Sequence, residues 1–120
     1  MTVFVRKSAE HLDMGVVNMI EAMIEDYAGF MYPDTEIKKK MNTKFSDGFV
    51  EKLGSKYIKI ISNSSVTAFI VKTDKDKKFK KGDILFPAGW AAPARNKARG
   101  NILDGDYPIN WTGPLYLRGG

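Results

Sequence analysis

The sequence predicts an α+β domain in which two N-terminal helices pack on an antiparallel β-meander, followed by an irregular C-terminal segment. Three observations predict it. Apolar residues recur at three- and four-residue steps between residues 13 and 45. They switch to strand-like runs between 57 and 86, and from Pro87 onward prolines and glycines interrupt every period. With 120 residues the chain forms one domain, 1–120, long enough to bury a single modest core.

The elements follow in order. "TVFVRK" is β-branched and aromatic, which predicts a short strand at residues 2 to 6. From Asp13, read as an N-cap, Val16, Ile20, Met23, Ile24, Tyr27 and Met31 fall on one helix face, with Glu21, Glu25 and Asp26 pointing elsewhere. "YPDT" ends this helix, because a proline disfavours helical geometry in the residue before it. Asp34 then caps a second helix carrying Ile37, Met41 and Phe45, which "SDG" stops. "KYIKIIS", the turn "NSS" and "VTAFIVKT" make a hairpin, and "GDILF" adds a third strand. "TAFIVK" is apolar on both faces, so it is expected to lie centrally, with helices over one side and a further layer, such as a second subunit, over the other. "PINWT" and "PLYL" suit edge strands.

Composition narrows the function classes. There is no cysteine, which removes disulfides, thiolate nucleophiles and sulfur-bound zinc, and fits the cytoplasm. No run approaches the roughly 18 apolar residues of a membrane span, and the first residues lack a signal-peptide core. Residues 1 to 60 carry nine Lys/Arg and nine Asp/Glu, whereas residues 61 to 120 carry ten against five, so the net +5 lies wholly in the second half. That favours an anionic partner. In "KTDKDKKFKKGD", however, lysines alternate with acids, as expected of a solvated hairpin loop. For that reason nucleic acid is not the expected partner.

The means for acid–base or nucleophilic catalysis are sparse. His11 is the single histidine and suits a solvated helix start; Ser64 and Ser65 lie in a turn without an activating base. Asp104 and Asp106 in "LDGDYP" fit a glycine turn better than a metal site, since hard cations want more oxygen ligands. No phosphate-loop motif is present. The chain is expected to be non-catalytic and to need no cofactor.

"FPAGWAAPARNKARGN", residues 86 to 101, stands apart. It holds two of the four arginines against fifteen lysines in the chain, and no acid occurs from Ile84 to Leu103. Guanidinium offers a planar fork for phosphate and a face for aromatic rings, which an ammonium does not. If a short helix opened at Pro93, Arg95 and Arg99 would share a face and its free N–H groups would add positive potential. Phe86 and Trp90 supply flat apolar surfaces, and Asn96 and Asn101 supply amides. Stacking, charge and hydrogen bonds are what a nucleotide requires. The same residues equally suit a reading in which both aromatics are core and both arginines are solvated.

The block "KKGDILFPAGWAAPARNKARGNI" followed by "GPLYL" resembles the phage-encoded Thoeris anti-defense sponge family, its first member, over about the last forty residues. The resemblance implies a non-catalytic protein that sequesters cyclic ADP-ribose isomers made by bacterial TIR-domain enzymes, in the host cytoplasm. Some such sponges also hold cyclic oligonucleotides at separate sites. It further implies an adenine held between an aromatic and an arginine, with Phe86 and Asn96 as the best matches. Arg95, Arg99 and Arg118 are then candidates for stacking or phosphate roles. A homodimer with pockets shared between subunits, extending in some members to a hexamer, is expected, and the Met-rich first helix is a candidate interface, although core packing explains Met19 and Met23 equally well.

Overall fold

The computed structural model describes residues 3–31 and 36–114. The fold is α+β. In chain order the elements are β1 (Val3–Val5), α1 (Leu12–Met31), α2 (Glu36–Asp47), β2 (Phe49–Leu53), β3 (Tyr57–Ser62), β4 (Ser65–Val71), β5 (Ile84–Leu85), β6 (Tyr107–Asn110) and β7 (Gly113–Pro114). Two antiparallel sheets result, one of order β2-β3-β4-β5 and one of order β1-β6-β7. The expected meander is the larger sheet. The smaller sheet brings the N-terminal strand against the C-terminal region, and β6 is its central strand rather than an edge.

Helix α1 and both sheets meet in one core. Val16, Met19 and Met23 of α1 bury against Ile58 and Ile60 of β3, Ala68 and Ile70 of β4, and Tyr107 and Ile109 of β6. The period of two puts the intervening residues of β4, Phe69 and Val71, on the opposite face, where they form a second cluster with Phe79 and Leu85. The layer on that face is therefore the chain's own 79–99 segment, with Ala98 packed against it. A bulge opposite Ile60 and Ile61 leaves Thr67 unpaired; its Oγ1 donates to the Ile60 carbonyl at 3.0 Å, so the extra residue is satisfied.

Local expectations needed four corrections. His11, not Asp13, occupies the N-cap position, because the Gly15 N–H bonds its carbonyl at 3.1 Å; Asp13 lies in the first turn, where the helix dipole still favours it. Asp26 does not face outward. It lies seven residues, two turns, after Met19 and so on the same stripe, and it is buried, with its Oδ2 accepting the Trp111 N–H at 2.9 Å. Among the described side chains of α2 only Phe45 is buried, while Ile37 and Met41 are exposed. Strand β2 was not expected, since "FVEKL" carries two charges, but an edge strand tolerates them. Asp34 and "YPDT", the Met31 side chain and the chain from Leu115 lie outside the described residues.

Two glycines mark close approaches. A Cβ at Gly15 would stand 2.9 Å from Ile102, so α1 packs there backbone to side chain. Gly105 has φ 77° and would meet the Lys7 carbonyl oxygen at 2.4 Å.

Candidate functional site

The expected short helix at 93–99 is absent, and its positive N-terminus with it. The backbone groups of this stretch are used elsewhere. Ala94 N–H bonds the Phe86 carbonyl at 2.7 Å and Ala88 N–H bonds the Ala92 carbonyl at 3.0 Å, closing residues 86–94 into a hairpin-like loop. Beyond it, Arg99 N–H bonds the Ile84 carbonyl, and Ile84 N–H bonds the Gly100 carbonyl, each at 2.8 Å. The chain thus runs extended along β5.

Arg95 and Arg99 consequently point to different places. Arg95 donates to Tyr57 Oη at 2.5 Å and to Asp76 Oδ1 at 2.9 Å, and its guanidinium lies 5.0 Å from the Phe79 ring. Arg95 is thus paired from outside the acid-free stretch, by Asp76 of the lysine loop. The hydrogen bond from Arg95, with those from the backbone N–H groups of Lys78 and Phe79, holds the Asp76 carboxyl well below the usual carboxylate range. That loop is anchored, with Phe79 buried beneath it.

Arg99, Phe86 and Asn96 do come together. The Arg99 guanidinium lies 5.3 Å from the Phe86 ring, and its Nη1 donates to Asn96 Oδ1 at 3.0 Å and to the Lys97 carbonyl at 2.7 Å. Desolvation lowers the Arg99 pKa, and its buried Nε has no partner. A base sandwiched between ring and guanidinium needs about 7 Å, two contacts of about 3.5 Å. As it stands the pair is closed on itself. Asn101 is a buried clamp: its amide donates to the Lys81 carbonyl and Asp83 Oδ1, and its oxygen accepts from Leu103 and Asp104 N–H. Arg118 lies outside the described residues.

Trp90 is the candidate that opens onto space. Small exposed neighbours, Ala88 to Ala92, carry it at the loop tip, where its side chain remains 55% exposed. It borders a cleft of about 970 Å³ between α2, β2 and the β3–β4 turn. Lys39, Lys40 and Lys44 enter this cleft from α2 and Lys52 from β2, with Asp47 as the one carboxylate. Lys59 Nζ lies 4.3 Å from the indole centroid and Lys52 Nζ 6.0 Å. Strand alternation explains the placement: Val50 and Lys52 share a face of β2, and Lys52 pairs with Lys59 on β3, while Glu51 points to the other side. The turn at the far wall, Asn63 and Ser64, has φ of 51° and 72°, the two-residue geometry that suits a tight hairpin.

Sequence reasoning missed the four cleft lysines, because they come from two elements that periodicity alone does not orient. Asp104 and Asp106 pair separately with Lys80 at 3.2 Å and Arg6 at 3.4 Å, and among the described residues no group of three His, Asp or Glu stands close enough to hold a metal. Among those residues, too, no helix is long and apolar enough to cross a membrane.

Compared with known proteins, the chain matches no family model, no curated sequence and no solved structure. The functional reading therefore rests on the geometry of the cleft, on residue chemistry and on the resemblance of residues 80–102.

Proposed function

We propose that this protein binds a small phosphorylated nucleotide in the Trp90 cleft and holds it without altering it, acting as a phage sponge for cyclic ADP-ribose isomers. The observation that carries this reading is the half-exposed indole set among four lysines in a cleft of about 970 Å³. An indole face takes an adenine, ammonium groups take phosphate oxygens as point charges, and the Ser64 hydroxyl suits a ribose hydroxyl. A volume of this size suits ligands of that class, although the cleft is open on one side. Holding a signal present near micromolar levels needs about −10 kcal/mol, which roughly 35 heavy atoms at about −0.3 kcal/mol each supply. A homodimer in the host cytoplasm, as the resembled family implies, would help close the cleft.

The test is calorimetry with cyclic ADP-ribose isomers, followed by chromatography of the ligand released on denaturation. Binding with recovery of intact ligand is expected. Trp90→Ala should weaken it about 10- to 100-fold, the loss of one base–aromatic stack. Phe86→Ala should weaken it far less if the ligand sits at Trp90; the reverse order would move the site to the Phe86–Arg99 pair. No heat with any isomer rejects the ligand, and products after incubation reject sequestration.

A further inference from the structure

A second opening adjoins the first at Lys52. It measures about 400 Å³ and is bordered by Lys52, Lys56 and Lys59, the rings of Tyr57 and Phe69, and Ala91. Lys52 borders both openings, and the adjoining residues Trp90 and Ala91 border one each. The two openings therefore adjoin at Lys52 and at the loop tip, and are taken together as one groove. Six lysines line it, from Lys39, Lys40 and Lys44 at one end through Lys52 to Lys59 and Lys56 at the other.

This charge is not cancelled. Of the ion pairs among the described residues, the one that touches these lysines is Lys39 with exposed Glu36, at 3.9 Å. Asp47 is the one carboxylate on either wall. At the second end Arg95 donates to the Tyr57 hydroxyl, which places a guanidinium there, although Asp76 shares it. Aromatic surface is available at exposed Trp90 and at half-buried Tyr57 toward the second end.

Lysines lining both openings, with the exposed indole between them, suit a linear polyanion with stackable bases. A compact ligand in the first cleft has no use for Lys56. We infer that the groove also binds single-stranded nucleic acid, its backbone following the lysines and one base stacking on Trp90. Duplex fits poorly, because its bases are already stacked and hidden from the indole.

Fluorescence anisotropy with end-labelled oligothymidylates of four, eight and twelve nucleotides, and with a hairpin duplex of equal charge, tests this. The eight-mer should bind more tightly than the duplex. With about four phosphates neutralised, the log–log salt slope should be near −3, an affinity loss of about 50-fold between 50 and 200 mM salt. Lys40→Glu and Lys56→Glu, at opposite ends and both exposed, should each weaken the eight-mer and make the slope shallower by about 0.7. Unchanged melting temperatures would confirm that both variants fold. Equal affinity for duplex, a slope shallower than −1, or Lys56→Glu leaving the eight-mer unaffected would overturn the inference. Lys56 borders the second opening and not the first, so cyclic ADP-ribose calorimetry on Lys56→Glu separates the two, and each proposal can fail while the other stands.

Discussion

Replacing Asn101 by alanine tests whether that amide holds the fold or merely offers itself to a ligand. The side chain is 7% exposed and makes four hydrogen bonds, donating to the Lys81 carbonyl at 3.0 Å and Asp83 Oδ1 at 2.9 Å, and accepting from the N–H groups of Leu103 at 2.8 Å and Asp104 at 3.1 Å. At about 1 kcal/mol net for each bond, Asn101→Ala should cost about 3–4 kcal/mol, with the buried Asp83 carboxylate losing a donor. At about 4 °C per kcal/mol this lowers Tm by about 12–16 °C. Urea unfolding followed by tryptophan fluorescence and circular dichroism gives the number. Asn101→Asp keeps the shape and both accepted bonds but turns an oxygen toward Lys81 and Asp83, so at pH 7 it should be at least as damaging, recovering in acid when its carboxyl can donate. A loss under 1 kcal/mol for alanine, or an aspartate variant as stable as the wild type, would refute the clamp.

Other consequences are as direct. The Tyr107 hydroxyl is buried without a partner, so Tyr107→Phe should raise stability by about 1 kcal/mol in thermal melts. Burial also pushes that phenol above its ordinary 10.0; the native state keeps a proton that the unfolded chain releases, so stability falls as pH rises past 10, and the phenylalanine variant should show a shallower alkaline decline. Asp76 behaves in the opposite sense: with its pKa lowered below 3.8, its contribution is present above that pH and lost as the pH falls, so Asp76→Asn should differ from wild type at pH 6 and converge with it in acid. Faster amide exchange at Lys78 and Phe79 would locate the effect. Gly105→Ala forces a Cβ against the Lys7 carbonyl at φ 77° and should cost about 2 kcal/mol or more, whereas Gly29→Ala, in α1 with nothing within 4 Å, should gain up to about 1 kcal/mol in the same denaturation assay.

Much of the fold was legible because burial follows period. Helix α1 and strands β3 and β4 have long apolar repeats that leave one arrangement, and all three lie where the pattern put them. What escaped is what period does not encode. Strand β2 is held by pairing with β3, so its own residues carry little signal. Asp26 looked like a surface acid because its chemistry was weighed above its position, yet the Trp111 N–H across the fold makes burial affordable. The second layer over β4 comes from a segment too rich in lysine to look like a cover, and one residue, Phe79, pins it down.

The candidate site was legible in its chemistry and misread in its connections, for a reason that concerns charge. Counting along the chain, the first half is neutral and residues 84–103 are purely basic. Folding reverses both statements locally. Four of the nine acids of the first half lie on α1, with Glu21 and Glu25 exposed and Asp26 buried, and the cleft where Lys39, Lys40 and Lys44 of α2 meet Lys52 has Asp47 as its one carboxylate. Arg95, from the acid-free stretch, meets Asp76, nineteen residues away. Coulomb energy depends on distance in space, and neighbours in sequence differ in direction by a helix turn or a sheet face. The uncompensated potential therefore gathers at a cleft to which that stretch contributes one side chain, Trp90.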